Sequence, residues 1–324
     1  MKAIRYHSMG GPEVLVWEDV EKPSPASGEV LVRIHVVGVN FADTLLRRGG
    51  YVTPPSLPET PGFEGAGVVE EVGAGVDSEL AGRRVAFRGQ RCYAEYATVP
   101  AQGLIALPDQ ISFEVGAAFP LQGLTAYHLL YTMDHVRPGM TVLVHAAAGG
   151  VGLLLIQMAK QAGARVLGTT STPEKANLAR QYGADEVILY TQTDFGGRVK
   201  ELTENRGVDL VLDSVGRATF AGSLQSLAPF GHLIVYGAAS GVPEKLNVIG
   251  TLMQKSLKVS AFWLFTTLQA PEVAERGVRQ VVDWVVSGKL RIHIGLKLPL
   301  AEAANAHRKM EARDTVGKIL LMVR

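Results

Sequence analysis

The sequence predicts an α/β protein in which a β-rich domain is interrupted by a doubly wound parallel sheet. Three observations carry this. The first hundred residues are dense in short alternating apolar runs cut by Gly, Pro and Ser. From about Ser112 strands and helix-length segments alternate, which requires crossover connections and hence parallel strands. The alternating part contains Thr141 to Lys160, TVLVHAAAGGVGLLLIQMAK, with a strand, a glycine turn and a helix in that order.

In the first domain the runs Glu29–Val39, Gly67–Val72, Arg84–Phe87 and Ala94–Val99 read as strands between turn residues. Phe41–Arg48 reads as one short helix. Gly116–Tyr131 is helical in pattern. The alternating part then runs Val142–Val144, Arg165–Gly168, Pro173–Tyr182, Glu186–Leu189, Phe195–Thr203, Asp209–Asp213, Leu233–Tyr236 and Leu257–Ser260. Pro271–Ser287 is a helix with Val278, Val281, Val282 and Val285 on its apolar face and Gly288 as its stop. Helix Leu300–Arg308 and strand Ile319–Val323 end the chain and return to the first domain. The expected boundaries are 1–118 plus 264–324 for the β-rich domain and 119–263 for the inserted one.

With 324 residues the chain is long enough for about two domains. Lys+Arg 32 against Asp+Glu 31 leaves no basic field to recruit nucleic acid. The single cysteine, Cys92, excludes an internal disulfide and a Cys-rich zinc site, and it suits a reducing cytoplasm. The N-terminus lacks the apolar core of a signal peptide. Met140–Ala159 is uncharged and about as long as a membrane span, but its glycines, histidine and glutamine fit a strand and helix better.

The glycine turn points to a dinucleotide. A pyrophosphate sits on the first turn of a helix, where unpaired N–H groups and the positive dipole end meet its oxygens. Gly149 and Gly150 leave that approach bare, and Gly152 allows close packing of helix on strand, as in a Rossmann site. Ala147 stands where the first glycine of G-x-G-x-x-G would be. The slot after the second strand, Gly168-Thr169-Thr170-Ser171, has no acid to bind a ribose 2′-hydroxyl, and Lys175 follows one turn on. Room for a phosphate and a cation to neutralise it favour NADPH over NADH.

The chain also resembles a family. Met1-Lys2-Ala3-Ile4, Gly11-Pro12-Glu13-Val14-Leu15, Val39-Asn40-Phe41-Ala42-Asp43, Pro61-Gly62-Phe63-Glu64-Gly65-Ala66-Gly67, the Ala/Gly turn and Thr315-Val316-Gly317-Lys318 run in the order of the zinc-free quinone oxidoreductases. These are the zeta-crystallin-like branch of the medium-chain dehydrogenase/reductases. The resemblance covers nearly the whole chain and implies a GroES-like catalytic domain with an inserted Rossmann domain, in a homodimer.

It also implies site roles. Gly149, Gly150, Val151 and Gly152 would contact the pyrophosphate, and Ser171, Lys175, Tyr190 and Arg313 would surround the 2′-phosphate. Thr125, Gly237 and the backbone of Phe262 to Leu264 would border the nicotinamide. Asn40, with Tyr51 second, would face the substrate carbonyl. Asn40 and Phe63 stand where zinc-dependent relatives carry a cysteine and a histidine, and an amide and a phenyl ring cannot replace thiolate and imidazole around Zn²⁺. The eight histidines show no ligand spacing, so no metal is expected.

Without a Lewis acid to polarise an alcohol, the acceptor should already be electrophilic. The expected activity is NADPH-dependent, metal-independent reduction of a quinone. Reduction of the C=C bond of enones, 2-alkenals or enoyl thioesters is the alternative, since Leu45, Ala238 and Phe262-Trp263-Leu264 make the substrate region more apolar. The alternative of another class is a non-catalytic NADPH-binding protein with a structural or RNA-binding role, which the near-zero net charge disfavours. The expected partner is a small electrophilic molecule, with no nucleic acid and no membrane.

Overall fold

The computed structural model describes residues 1–243 and 245–323. The chain forms two compact units, Met1–Gly123 with Val282–Arg324, and Leu124–Val281. The sequence places the boundaries at 118/119 and 263/264. In the structure Pro271–Val286 is one helix of 16 residues, and the second division falls within it.

The first unit is built on a seven-stranded sheet. Its spatial order is Ile294–Pro299, Lys318–Met322, Glu29–Val39, Glu64–Val72, Arg84–Arg88 and Leu104–Ala106, with Tyr96–Pro100 also paired to Glu29–Val39. Only the first pair is parallel. Lys2–Arg5 and Val16–Asp19 form a separate antiparallel pair. Val30, Val32, Ile34, Val37, Phe87, Val99, Ile319 and Leu321 meet in one core. Alternate residues of neighbouring strands share a face, so each strand sends its apolar set to the same side.

The second unit is a six-stranded, wholly parallel sheet in the order Glu186–Leu189, Arg165–Thr170, Thr141–Val144, Val208–Asp213, Leu227–Val235 and Lys258–Ala261. All four residues of Thr141–Val144 are buried, as a central parallel strand covered on both faces demands. Leu143, Leu167, Ile188, Val211 and Leu233 give this unit its core. The uncharged run resolves into that short strand and the helix Gly150–Gln161. Among the described residues no helix is long and apolar enough to cross a membrane.

Several expectations are corrected. Gly116–Tyr131 is not one helix: Phe113–Gly116 ends before a turn, and Gln122–Tyr131 starts after Pro120. Proline lacks the N–H that would continue the helix and disfavours helical geometry in the residue before it. The tail helix is Ala303–Glu311, preceded by a tighter turn at Leu300–Glu302. Strand Ile294–Pro299 and helix Phe220–Ser226 were not expected.

Candidate active site

The helix Gly150–Gln161 begins at Gly149, which is extended and offers no side-chain cap. Leu153 N–H already reaches Gly149 O at 2.9 Å. The three N–H groups before it, on Gly150, Val151 and Gly152, find no acceptor among the described residues, so the first turn presents unspent donors. A Cβ on Gly152 would lie 2.4 Å from Ala146 O, whereas one on Gly149 would lie 3.2 Å from the same oxygen. Gly152 is therefore held by packing, and Gly149 leaves the start of the helix open.

Ala147 has a structural explanation. It is fully buried, and its methyl faces Gly168, where an added Cβ would come within 2.8 Å of Ala147 Cβ. Gly168 on the neighbouring strand gives that methyl its room. Ala146, at φ 50°, takes the left-handed step of the turn.

Ser171 and Tyr190 follow the C-terminal ends of two paired strands, Arg165–Thr170 and Glu186–Leu189. Tyr190 N–H donates to Thr170 O at 3.2 Å, and Thr191 Oγ1 donates to Ser171 O at 2.9 Å. Thr172 caps the next helix by accepting from Lys175 N–H at 3.3 Å, which sets Lys175 in that helix's first turn. These three side chains thus arise from one corner of the sheet. Arg313 belongs to the first unit, just past Ala303–Glu311, in the left-handed region at φ 59°.

Thr125 is buried in the helix Gln122–Tyr131. One turn on, the ring of His128 lies 6.3 Å from that of Phe262, whose N–H donates to Val235 O at 2.9 Å. Leu264 is buried at the start of a 3₁₀ turn. Gly237 lies so near Ser214 that a Cβ would be 2.6 Å from its carbonyl oxygen.

In the first unit Asn40 precedes the helix Phe41–Arg47 and is almost wholly buried. Its Oδ1 accepts from Lys318 Nζ at 2.9 Å and from Gln122 Nε2 at 3.1 Å. Its Nδ2 donates to Glu64 Oε1 at 2.7 Å and to Gly38 O at 3.3 Å. Glu64 is fully buried, ion-paired through Oε1 to Lys318, and accepts Leu121 N–H through Oε2 at 2.7 Å. Burial pushes the Lys318 ammonium down, and Glu64 beside it pulls the other way. Tyr51 and Phe63 stand as a ring pair 5.3 Å apart.

Behind Asn40 runs a second buried chain. Arg47 Nη1 donates to His307 Nδ1 at 3.1 Å, so His307 Nε2 carries the proton and donates to Tyr93 Oη at 3.0 Å. Tyr93 Oη donates to Asp43 Oδ2 at 3.0 Å, which also takes Asn40 N–H at 2.7 Å. Burial raises the Asp43 carboxyl to about 7, and its Oδ1 has no partner. Burial and the nearby arginines lower His307 to about 3, which keeps it neutral.

Sequence reasoning passed over Glu64, Lys318 and Gln122 as chemistry. For Lys318 the signal was a charge heading an apolar strand, Lys318-Ile319-Leu320-Leu321, whereas Gln122, an uncharged residue at a helix start, offered none. Among the described residues no group of three or more His, Cys, Asp or Glu is placed to hold a metal ion.

Residues 26–109 match the alcohol dehydrogenase GroES-like domain, and residues 150–283 match the family model described as zinc-binding dehydrogenase. A quinone oxidoreductase of Pseudomonas aeruginosa is 42% identical over 99% of both chains. A 2-haloacrylate reductase of a Burkholderia species is 39% identical over 98% of this chain and 97% of its own. The crystal structure of Escherichia coli quinone oxidoreductase complexed with NADPH superposes with a TM-score of 0.95 at 38% identity, over 99% of this chain and 100% of that one. The chain belongs to the quinone oxidoreductase family of the medium-chain dehydrogenase/reductases.

Proposed function

We propose that this protein is an NADPH-dependent quinone oxidoreductase that works without a metal ion. The observation that carries the cofactor is the bare first turn of Gly150–Gln161, with three unspent N–H groups, an open approach at Gly149 and close packing at Gly152, where a Cβ would lie 2.4 Å from Ala146 O. Gly149, Gly150, Val151 and Gly152 are assigned to the pyrophosphate, and Ser171, Lys175, Tyr190 and Arg313 to the 2′-phosphate. Thr125, Gly237, Phe262 and Leu264 are assigned to the nicotinamide. NADPH, when bound, supplies a hydride from C4 of that ring. The quinone as acceptor rests on the relatives named above.

On the acceptor side we assign Asn40 and Tyr51, with a refinement for Asn40. Two lone pairs and two N–H groups exhaust an amide, and all four are committed within the protein. Asn40 therefore acts by holding Gln122, whose amide oxygen and second N–H have no partner among the described residues. Such a spare donor can hold an acceptor carbonyl in line, and alignment is most of what hydride transfer asks of a protein.

A second reading, reduction of a conjugated C=C bond, is favoured by the Burkholderia relative. Loss of NADPH absorbance against quinones, enones, 2-alkenals and enoyl thioesters separates the two. Turnover with quinones is expected, and none with any quinone overturns the first reading. We further propose a homodimer, since exposed Val248, Ile249 and Met253 precede the edge strand Lys258–Ala261, and a cytoplasmic location, which the single cysteine suits. Light scattering should give twice the chain mass, and a monomer removes that assignment.

A further inference from the structure

Two arginines of the first unit are withdrawn from water, and the fold treats them in opposite ways. Arg47 is fully buried and satisfied: Nε donates to Gly10 O at 3.1 Å, Nη1 to His307 and Nη2 to Glu311. Arg88, at the end of strand Arg84–Arg88, is partly buried, and its guanidinium makes no hydrogen bond or ion pair among the described residues. Its Nη1 is closed to solvent without an acceptor. A charged donor left this way is costly, and native folds rarely keep one without a use.

The carboxylate across the ladder does not answer for it. Glu64 stands opposite Arg88 in the ladder, so the two side chains share a face of the sheet. Both oxygens of Glu64 are already engaged by Lys318, Asn40 and Leu121 N–H. Lys318 balances the Glu64 charge, and Arg88 is left without an ion pair among the described residues. Burial pulls the guanidinium below its ordinary value, with Glu64 acting weakly in return. The backbone beside it is tied to an aromatic pair: Gly89 N–H donates to Phe63 O at 3.0 Å, and the Phe63 ring pairs with Tyr51.

We propose that Arg88 anchors a carboxylate carried by the acceptor, so that the preferred substrates are planar conjugated molecules bearing an acid group. The Nε–Nη2 edge of the guanidinium, which unlike Nη1 is not closed to solvent, matches a carboxylate bidentately, and the Tyr51–Phe63 pair offers the apolar contact a ring requires. The assignment rests on the reading of this site as a reductase of conjugated acceptors, but it makes a claim about binding that can be measured without turnover.

The test is calorimetric titration of the NADP⁺-loaded protein with 2-naphthoate and with its neutral counterpart, 2-naphthamide. Wild type should bind the acid at least about tenfold more tightly, the size of one charge-assisted hydrogen bond. Arg88→Gln should bring the ratio to about 1, and Arg88→Lys, which keeps the charge but not the fork, should fall between. Thermal melts confirm that both variants fold. Equal affinity of wild type for the two probes overturns the proposal, as does a preference that survives Arg88→Gln. A failure to reduce quinones leaves this measurement standing, so the two readings fail separately.

Discussion

Lys318, at the start of the last strand of the first unit, donates from Nζ to Asn40 Oδ1 at 2.9 Å across 278 residues of sequence. The same ammonium is ion-paired with fully buried Glu64. Removing it strands a carboxylate in a dry interior, and breaking such a pair costs about 3–5 kcal/mol. Lys318→Met should lower stability by that amount in urea unfolding. The double variant Lys318→Met with Glu64→Gln should recover most of it. A single variant within about 1 kcal/mol of wild type would show that the pair is not buried in solution.

The buried Asp43–His307 chain makes acid stability a balance of two opposed groups. Asp43, raised from 3.8 to about 7, binds its proton more tightly when folded, so it lowers stability as pH climbs through that window. His307, lowered from 6.5 to about 3, stays neutral when folded, and the stability it contributes above 6.5 is lost as pH falls. Asp43→Asn removes the first slope and leaves the second. Its urea midpoint should therefore fall more steeply than that of wild type between about pH 6.5 and pH 5. Parallel curves would contradict the assignment.

Gly149 and Gly152 should separate binding from folding. Gly152→Ala drives a Cβ to 2.4 Å from Ala146 O, and overpacking of that kind costs about 1–3 kcal/mol. Gly149→Ala meets only a 3.2 Å contact, so the fold should persist while the methyl obstructs the first turn. Fluorescence titration should show NADPH affinity falling at least about tenfold in Gly149→Ala with little change in melting temperature. Equal loss of stability in both would refute the distinction.

Lys175 tests the choice of nicotinamide. It follows an acid-free slot and rises from the first turn of Pro173–Gln181. A charge-assisted contact to a 2′-phosphate is worth about 1.5–3 kcal/mol. Lys175→Ala should reduce the ratio of kcat/KM for NADPH over NADH by about 10- to 100-fold. An unchanged ratio would mean that the 2′-phosphate is recognised elsewhere.

Much of this protein is legible one segment at a time. Glu29–Val39 and Glu186–Leu189 occur with the bounds their patterns imply, and the glycine turn sits between a buried strand and a helix as its spacing requires. Such features depend on periodicity and on backbone freedom, both of which are local. Strand Ile294–Pro299 was missed because its alternation is half exposed, and it is held by parallel pairing with Lys318–Met322.

The chemistry of the first unit is of the other kind. Asn40 could be singled out in its motif, but nothing near it in sequence says that its amide is spent on Gln122, Glu64 and Lys318. Nor do the residues around Arg88 and Arg47 reveal that one guanidinium is satisfied and the other is not. The sequence by itself determined the parallel nucleotide-binding sheet, the glycine turn and the missing metal ligands, because residue type and spacing suffice for these. Tertiary structure alone decided which buried polar groups are paired, because a hydrogen-bond partner is set by proximity across strands that lie hundreds of residues apart.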